Sequence, residues 1–437
     1  MTREVIVIGG GLAGSEAAYQ LAKRGIKVKL YEMRPVKQTP VHKTGRLGEL
    51  VCSNSLKSVD LYNASGLLKF EMETLDSLII RAAKESKINE GKALVVDRNI
   101  FSQIITETLE KHPHIEIIRE EVREIPRDKI VIVATGPLTS DALSKDIQRL
   151  TGEDYLAFYD AVSPIVDGET LDYDKLFWAD RHGRDPHAYL NAPFTEEEYY
   201  RFVEELLNAE KYEIKEFEQN PKFFEGCLPI EEMARRGPDT LRFGPMNPRG
   251  LVDPRTGKEP FAVVQLRPEN KDRTAFSLVG FQTQLKWGEQ KRVFRLIPGL
   301  ERAEFLRYGV IHRNTFIKSP KVLRATLQMR EHPLILFAGQ ITGVEGYVAS
   351  SASGLIAGIN AARLAEGKEP IVPPGETMMG ALLNYIENAD PEHFQPMPPQ
   401  FGLFEDIPPH LKGRKRREYM IERAVKAIRE FARKLEL

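Results

Sequence analysis

The strongest constraint on this chain lies in its first 32 residues. A short apolar run, Glu4 to Ile8, leads into Gly9-Gly10-Gly11-Leu12-Ala13-Gly14. Ala17, Ala18, Leu21 and Ala22 then recur at helical spacing, and Ile26, Val28 and Leu30 alternate as a second strand ending at Glu32. Strand, glycine turn, helix and strand make a βαβ unit, which implies a parallel sheet. The turn reads G-x-G-x-x-G. Glycine allows the tight turn at 9, close approach of a pyrophosphate at 11 and helix–sheet contact at 14. The open N–H groups of the helix then meet the phosphates. Glu32, 18 residues after Gly14, stands where a carboxylate holds ribose hydroxyls. Residues 9–14 with Glu32 are therefore the expected dinucleotide site, for FAD or for NAD.

The α/β texture pauses and returns. Helical patterns run near 64–86 and 98–111, the polar stretch 37–60 reads as a long loop, and Lys129 to Ala134 is a buried strand. From about 165 to 300, aromatic and charged residues with Pro/Gly punctuation take over. Thr195 and Glu198 there predict a capping box ahead of Phe202, Leu206 and Leu207. Leu334 to Ala338 is again a strand, followed by an alanine-rich helix over 349–366, a Pro-rich connector over 370–410 and a basic helix over about 413–436. A chain of 437 residues accommodates two or three domains. The expected division is an α/β nucleotide-binding domain from 1–165 and 305–437, with an α+β domain inserted at 166–304.

Two later turns favour a flavin. Ala134-Thr135-Gly136 and Gly339-Gln340 each follow a strand, and they resemble the second and third FAD contacts of the glutathione-reductase-type flavoproteins. That resemblance implies a Rossmann-like FAD-binding domain whose last turn, with Gly346 and Tyr347, aims a helix N-terminus at the isoalloxazine. No second G-x-G-x-x-G is present, so a nicotinamide reductant, NADH or NADPH, would visit only transiently. His312, in the polar island Gly309 to Phe316, is a candidate for the flavin or folate pocket.

Hydrophobic residues make up 42% and charged residues 29%, and 62 Lys and Arg nearly balance 63 Asp and Glu. These values exclude disorder and leave net charge silent about a polyanionic partner. Two cysteines without a C-x-x-C exclude a disulfide framework and a zinc cluster, and no metal is expected. The absence of a signal pattern and of a long apolar run makes a cytoplasmic protein without a membrane span the expectation. Cys52 lies in Glu49 to Ser58, with Arg46 and Lys57 nearby, and Cys227 in Glu225 to Pro229, with Arg235 and Arg236 beyond. Cations raise the thiolate fraction, so both thiols are open to chemistry, though a small core residue is the plainer reading of each. Residues 411–437 carry ten Lys and Arg against four Glu. Arg414, Lys415 and Arg416 crowd a helix start, where the dipole disfavours cations; a phosphate partner and a solvated helix explain this equally well.

The fingerprint from Val5 to Pro35, ELVCSNSLKS, FEGCLPIEEMARRG, HRNTFI and FAGQITGVEGYVASSASGLIAGINAAR follow one another in order. Together they resemble the folate- and FAD-dependent tRNA (uracil-5-)-methyltransferase family over essentially the whole chain. The resemblance implies methylation of uridine 54 in the tRNA TψC loop, with methylenetetrahydrofolate as carbon donor and FAD reduced by NAD(P)H. It makes Cys52 and Cys227 jointly nucleophile and general acid/base, and tRNA the partner, with no protein partner required. Two alternatives stay open: a wobble-uridine carboxymethylaminomethyl-type flavoprotein, to which the glycine turns are also similar, and a simple NAD(P)H-dependent flavin oxidoreductase.

Overall fold

The computed structural model describes residues 4–88, 91–181, 183, 185–212 and 228–435, and of 156–160 and 311–313 the backbone alone. The glycine turn joins β1 (Glu4–Ile8) to α1 (Leu12–Ala22), and β2 (Lys27–Tyr31) returns parallel to β1. After a long loop come β3 (Ser55–Ser58), α2 (Ala64–Thr74), α3 (Leu78–Glu85), β4 (Ala93–Val95), α4 (Arg98–Glu110), β5 (Ile115–Ile118), β6 (Val131–Val133) and α5 (Asp141–Thr151). The helical pattern over 64–86 is thus two helices. Asp76 turns left-handed between them (φ 57°), and Ser77 caps the second, its Oγ accepting the Ile80 N–H. The loop over 37–60 likewise ends in β3, which pairs with β4.

The chain leaves along β7 (Leu156–Ala161) and enters a six-stranded antiparallel sheet. Its strands are β8 (Ile165–Asp167), β9 (Phe177–Ala179), β10 (Tyr189–Phe194), β11 (Ala262–Pro268), β12 (Ala275–Leu278) and β13 (Phe305–Arg307), in the order β13-β8-β12-β11-β10-β9. On it pack α6 (Glu196–Asn208), α7 (Ile230–Arg235) and α8 (Trp287–Phe294), around Tyr199, Phe202, Phe276, Phe281 and Phe294. The predicted capping box is present: the Thr195 hydroxyl accepts the Glu198 N–H, and the Glu198 carboxylate accepts the Thr195 N–H.

The chain comes back along β14 (Ile311–Phe316), antiparallel to β7. It then forms α9 (Ser319–Val322), β15 (Ile335–Phe337), α10 (Tyr347–Ala365), α11 (Met378–Asn388) and α12 (Gly413–Lys434). β15 completes a five-stranded parallel sheet ordered β15-β6-β1-β2-β5. Residues 370–410 therefore hold a helix, α11, where a Pro-rich connector is expected. Thr377 caps it, and the buried Glu71 carboxylate of α2 accepts the Met378 and Met379 N–H groups at 2.7 and 2.8 Å. Glu16 of α1 does the same for Leu78 and Ile79 at the head of α3. The main core lies between the parallel sheet, α1 and α10. Gly354 is required there, since a Cβ would fall 2.2 Å from the Ala13 carbonyl oxygen.

Candidate active site

Gly11 caps α1 without a side-chain hydrogen bond, so the first N–H groups of the helix stay open. Behind them the turn is tight: a Cβ on Gly14 would lie 1.7 Å from the Gly9 carbonyl oxygen. In front it is open, for a Cβ on Gly11 meets no atom within 4 Å. Glu32 closes one side of this cradle. Its Oε2 accepts the Gly10 N–H at 2.9 Å and Arg34 Nη2 at 3.2 Å, and its Oε1 accepts Arg34 Nε at 2.9 Å. Burial works against this carboxylate, but Arg34 overcomes it and holds the group below the usual carboxylate range. A ribose hydroxyl at Glu32 would share oxygens that already accept these bonds.

Further glycine corners stand at the ends of β6 and β15. Gly136 opens the short helix Gly136–Leu138, and Gly339 that of Gln340–Thr342; Gly346 caps α10 with no side-chain bond. Gln340 is committed to Glu345 at 2.8 Å, and the Gly339 N–H to Ser353 Oγ at 2.7 Å. β14 packs against both short helices. It carries Asn314, 1% exposed, whose Oδ1 and Nδ2 have no protein partner. A buried amide without partners is costly unless a ligand meets it.

Tyr347, the first residue of α10, brings Cys52 to this end of the sheet. Its Oη accepts the Cys52 N–H at 2.7 Å and the Ser53 N–H at 3.1 Å. Burial, with the Cys52 sulfur adding to it, pushes the phenol above its ordinary value, so it stays neutral with its own proton as a donor. Arginines grip the same segment from three elements. Arg98, at the head of α4, donates to the Leu50 carbonyl at 2.6 Å and the Cys52 carbonyl at 3.2 Å, and pairs with Glu269. Arg307 of β13 donates to the Val51 carbonyl at 2.9 Å and the Cys52 carbonyl at 3.1 Å. Arg267 of β11 holds Asn54 Oδ1 at 2.7 Å and Ser53 Oγ at 2.9 Å.

The cations expected near Cys52 are elsewhere. Arg46 donates to Asn99, and Lys57 faces the buried Lys69. Sequence neighbours diverge in space here because Lys57 turns left-handed (φ 63°) inside β3. Cys227 lies outside the described residues, and of His312 only the backbone is described, opposite Asp160. Arg414 is tied to Glu418 at 2.8 Å, while Lys415 and Arg416 are exposed. Arg98, Arg267, Glu269, Arg307 and Asn314 form no motif in the sequence; only the fold gathers them. Among the described residues, no cluster of His, Cys, Asp and Glu is disposed to hold a metal, and no helix is long and apolar enough to cross a membrane.

Fold and site together define an α/β protein whose parallel sheet opens on a nucleotide-type glycine turn and which carries a second, antiparallel sheet. Residues 4–369 match the family described as Glucose inhibited division protein A. The chain is 59% identical over 432 residues to the methylenetetrahydrofolate–tRNA-(uracil-5-)-methyltransferase TrmFO of Aquifex aeolicus, covering 99% of this chain and 97% of that one. The TrmFO of Desulforamulus reducens is 59% identical over 431 residues, covering 98% of each. The chain belongs to this TrmFO family. The solved structure of Aquifex aeolicus GidA superposes with a TM-score of 0.70 at 20% identity, covering 99% of this chain and 76% of that one, which shows a shared fold.

Proposed function

We propose that the chain methylates C5 of uridine 54 in the tRNA TψC loop, with methylenetetrahydrofolate as carbon donor and FAD reduced by NADH or NADPH, in the cytoplasm and without a protein partner. The observation that carries this reading is the seating of Cys52 on Tyr347, at the N-terminus of α10. It puts a thiol beside the glycine corner where a flavin ring would lie.

The residues fit FAD in kind. The open face at Gly11 and the uncapped start of α1 suit a pyrophosphate, Glu32 a ribose, and Gly136, Gly339, Gln340, Gly346 and the unpartnered amide of Asn314 the flavin end. This is the arrangement of a Rossmann-like, glutathione-reductase-type domain. We assign it to 1–165 and 305–437, with the inserted α+β domain at 166–304 and β13 joining the inserted sheet from just beyond that boundary. When bound, FAD supplies the reducing equivalents that turn the transferred one-carbon unit into a methyl group.

Uracil C5 is a poor nucleophile until a thiolate adds to C6; the enolate so formed attacks the one-carbon unit through C5. A base then takes the C5 proton as the bond from the transferred carbon to its nitrogen carrier breaks, leaving an exocyclic methylene on C5; hydride delivery to that methylene expels the thiolate from C6 and leaves the methyl group. Cys52 and Cys227 share the roles of nucleophile and general acid/base. The target uracil must leave the folded tRNA to reach them. Lys415 and Arg416, with Arg414 beside them, are assigned to the tRNA phosphates, and His312 to contact with the folate or the flavin.

Labelled carbon from methylenetetrahydrofolate, offered with NAD(P)H and an unmodified tRNA transcript to the purified chain, should appear as 5-methyluridine in the TψC loop. No label from protein that is yellow and reducible would favour the wobble-uridine reading instead.

A further inference from the structure

Two guanidinium groups converge on one oxygen, the Cys52 carbonyl, at 3.2 and 3.1 Å. Cations so close repel each other, and the two arginines are not equally compensated. Arg98 is paired with Glu269, a carboxylate that burial would raise but that Arg98 holds below the usual range. Arg307 bonds only to the carbonyls of Val51, Cys52 and Ser163, and its buried Nε has no partner. Among the described residues, no carboxylate lies within ion-pair distance of it. Burial and the repulsion of Arg98 pull Arg307 below its ordinary value, while Glu269, the Cys52 sulfur and Tyr347 act in the other direction. An arginine keeps its charge regardless, so a half-buried guanidinium here calls for an anion.

Among the described residues, the charged and titratable groups around Cys52 include Arg98 from α4, Arg267 and Glu269 from β11 and its end, Arg307 from β13, and Tyr347 from α10. Arg267 is engaged with Ser53 and Asn54, Glu269 with Arg98, and Tyr347 is neutral. Among the described residues, the group left to carry negative charge beside Arg307 is the Cys52 sulfur, whose charge favours the ionised forms of Arg98 and Arg307.

We propose that Arg307 is the counter-ion and positioning residue of Cys52. It fixes the Cys52 peptide through the carbonyl oxygen and balances the charge of the Sγ thiolate, so that the sulfur is ionised at neutral pH. The inference rests on reading Cys52 as a reacting thiol, and it assigns the ionisation of that thiol to a residue of the antiparallel sheet.

The test is the pH profile of Cys52 alkylation by iodoacetamide in the yellow holoenzyme, followed on the Cys52 peptide by mass spectrometry. Arg307→Gln keeps donors for the carbonyls and removes the charge; Arg307→Lys keeps the charge and loses the fork. Arg307→Gln should alkylate about tenfold more slowly at pH 7, as a midpoint moved by about two units, from below 7 to above it, requires, and converge with the wild type at high pH. Arg307→Lys should stay within about threefold of wild type at pH 7 in this assay, while its methyl transfer falls because the peptide is no longer held. A Gln profile with the wild-type midpoint, or one slowed by the same factor at every pH, would overturn the proposal. Full methyl transfer by Cys52→Ala would remove the catalytic reading instead and leave the alkylation result standing.

Discussion

Gly11 and Gly14 differ in what they face, and the difference separates folding from binding. A Cβ at 11 meets no protein atom within 4 Å, whereas one at 14 strikes the Gly9 carbonyl oxygen at 1.7 Å. Gly11→Val should therefore fold with an unchanged melting temperature in the cofactor-free state, yet purify colourless. Gly14→Ala should lose on the order of 1–3 kcal/mol of stability, read by denaturant unfolding. Cys52→Ala should stay yellow and lose methyl transfer, checked by the labelled-carbon assay. At this scale the sequence was informative wherever chemistry is written locally. The glycine turn, Glu32 and Cys52 carry their own context: Glu32 accepts the Gly10 N–H of the turn, and Cys52 is held by Tyr347 at the start of α10. The arginines around Cys52 were not legible. Arg307 reaches Cys52 across 255 residues, and its neighbours Leu306 and Tyr308 give no sign of that bond.

Among the elements, α11 depends on one buried side chain. Glu71 accepts the first two N–H groups of that helix, and burial lifts its carboxyl to about 8. A carboxyl with a folded value above its unfolded one lends stability that is full below about pH 4 and drains away as pH rises through the folded value. The melting temperature of the wild type should accordingly fall between pH 5.5 and 8.5, and Glu71→Gln should flatten that fall. Parallel curves would show that Glu71 does not titrate in this range. Glu71→Gln should also cost about 1–3 kcal/mol at pH 5.5, because an amide nitrogen replaces one acceptor. The helix itself was hidden in the sequence by the prolines around it, since its distant cap, Glu71, is 307 residues from Met378. The split between α2 and α3 was hidden for a related reason: Glu16, far upstream, holds the start of α3. The capping box at Thr195 and Glu198 was legible because both partners lie within one turn.

For the molecule as a whole, near-neutral charge means that any grip on tRNA is local. α12 buries Met420, Ile421, Ala424, Ile428 and Phe431, and Arg417 lies over the Phe401 ring at 3.7 Å. Arg414 is tied to Glu418, which leaves Lys415 and Arg416 exposed at the start of the helix. Lys415→Glu with Arg416→Glu should weaken tRNA binding and lower the slope of log K against log salt by about one unit for each phosphate no longer neutralised. An unchanged slope would make α12 a solvated packing helix. The parallel sheet was legible at both ends of the chain because buried strands and glycine turns are short, dense signals. The order β15-β6-β1-β2-β5, which threads the last strand beside β6, is a property of the folded chain alone.

The seat of α10 on α1, through Gly354 and the Ala13 carbonyl, also sets a timetable. On the ribosome α1 emerges more than 300 residues ahead of α10. At roughly 5–20 residues per second the wait is on the order of tens of seconds. The antiparallel sheet, whose strands are contiguous between the two, is free to form during that interval. Until α10 arrives, the face of the βαβ unit that carries Ala13 and Ala17 stays uncovered.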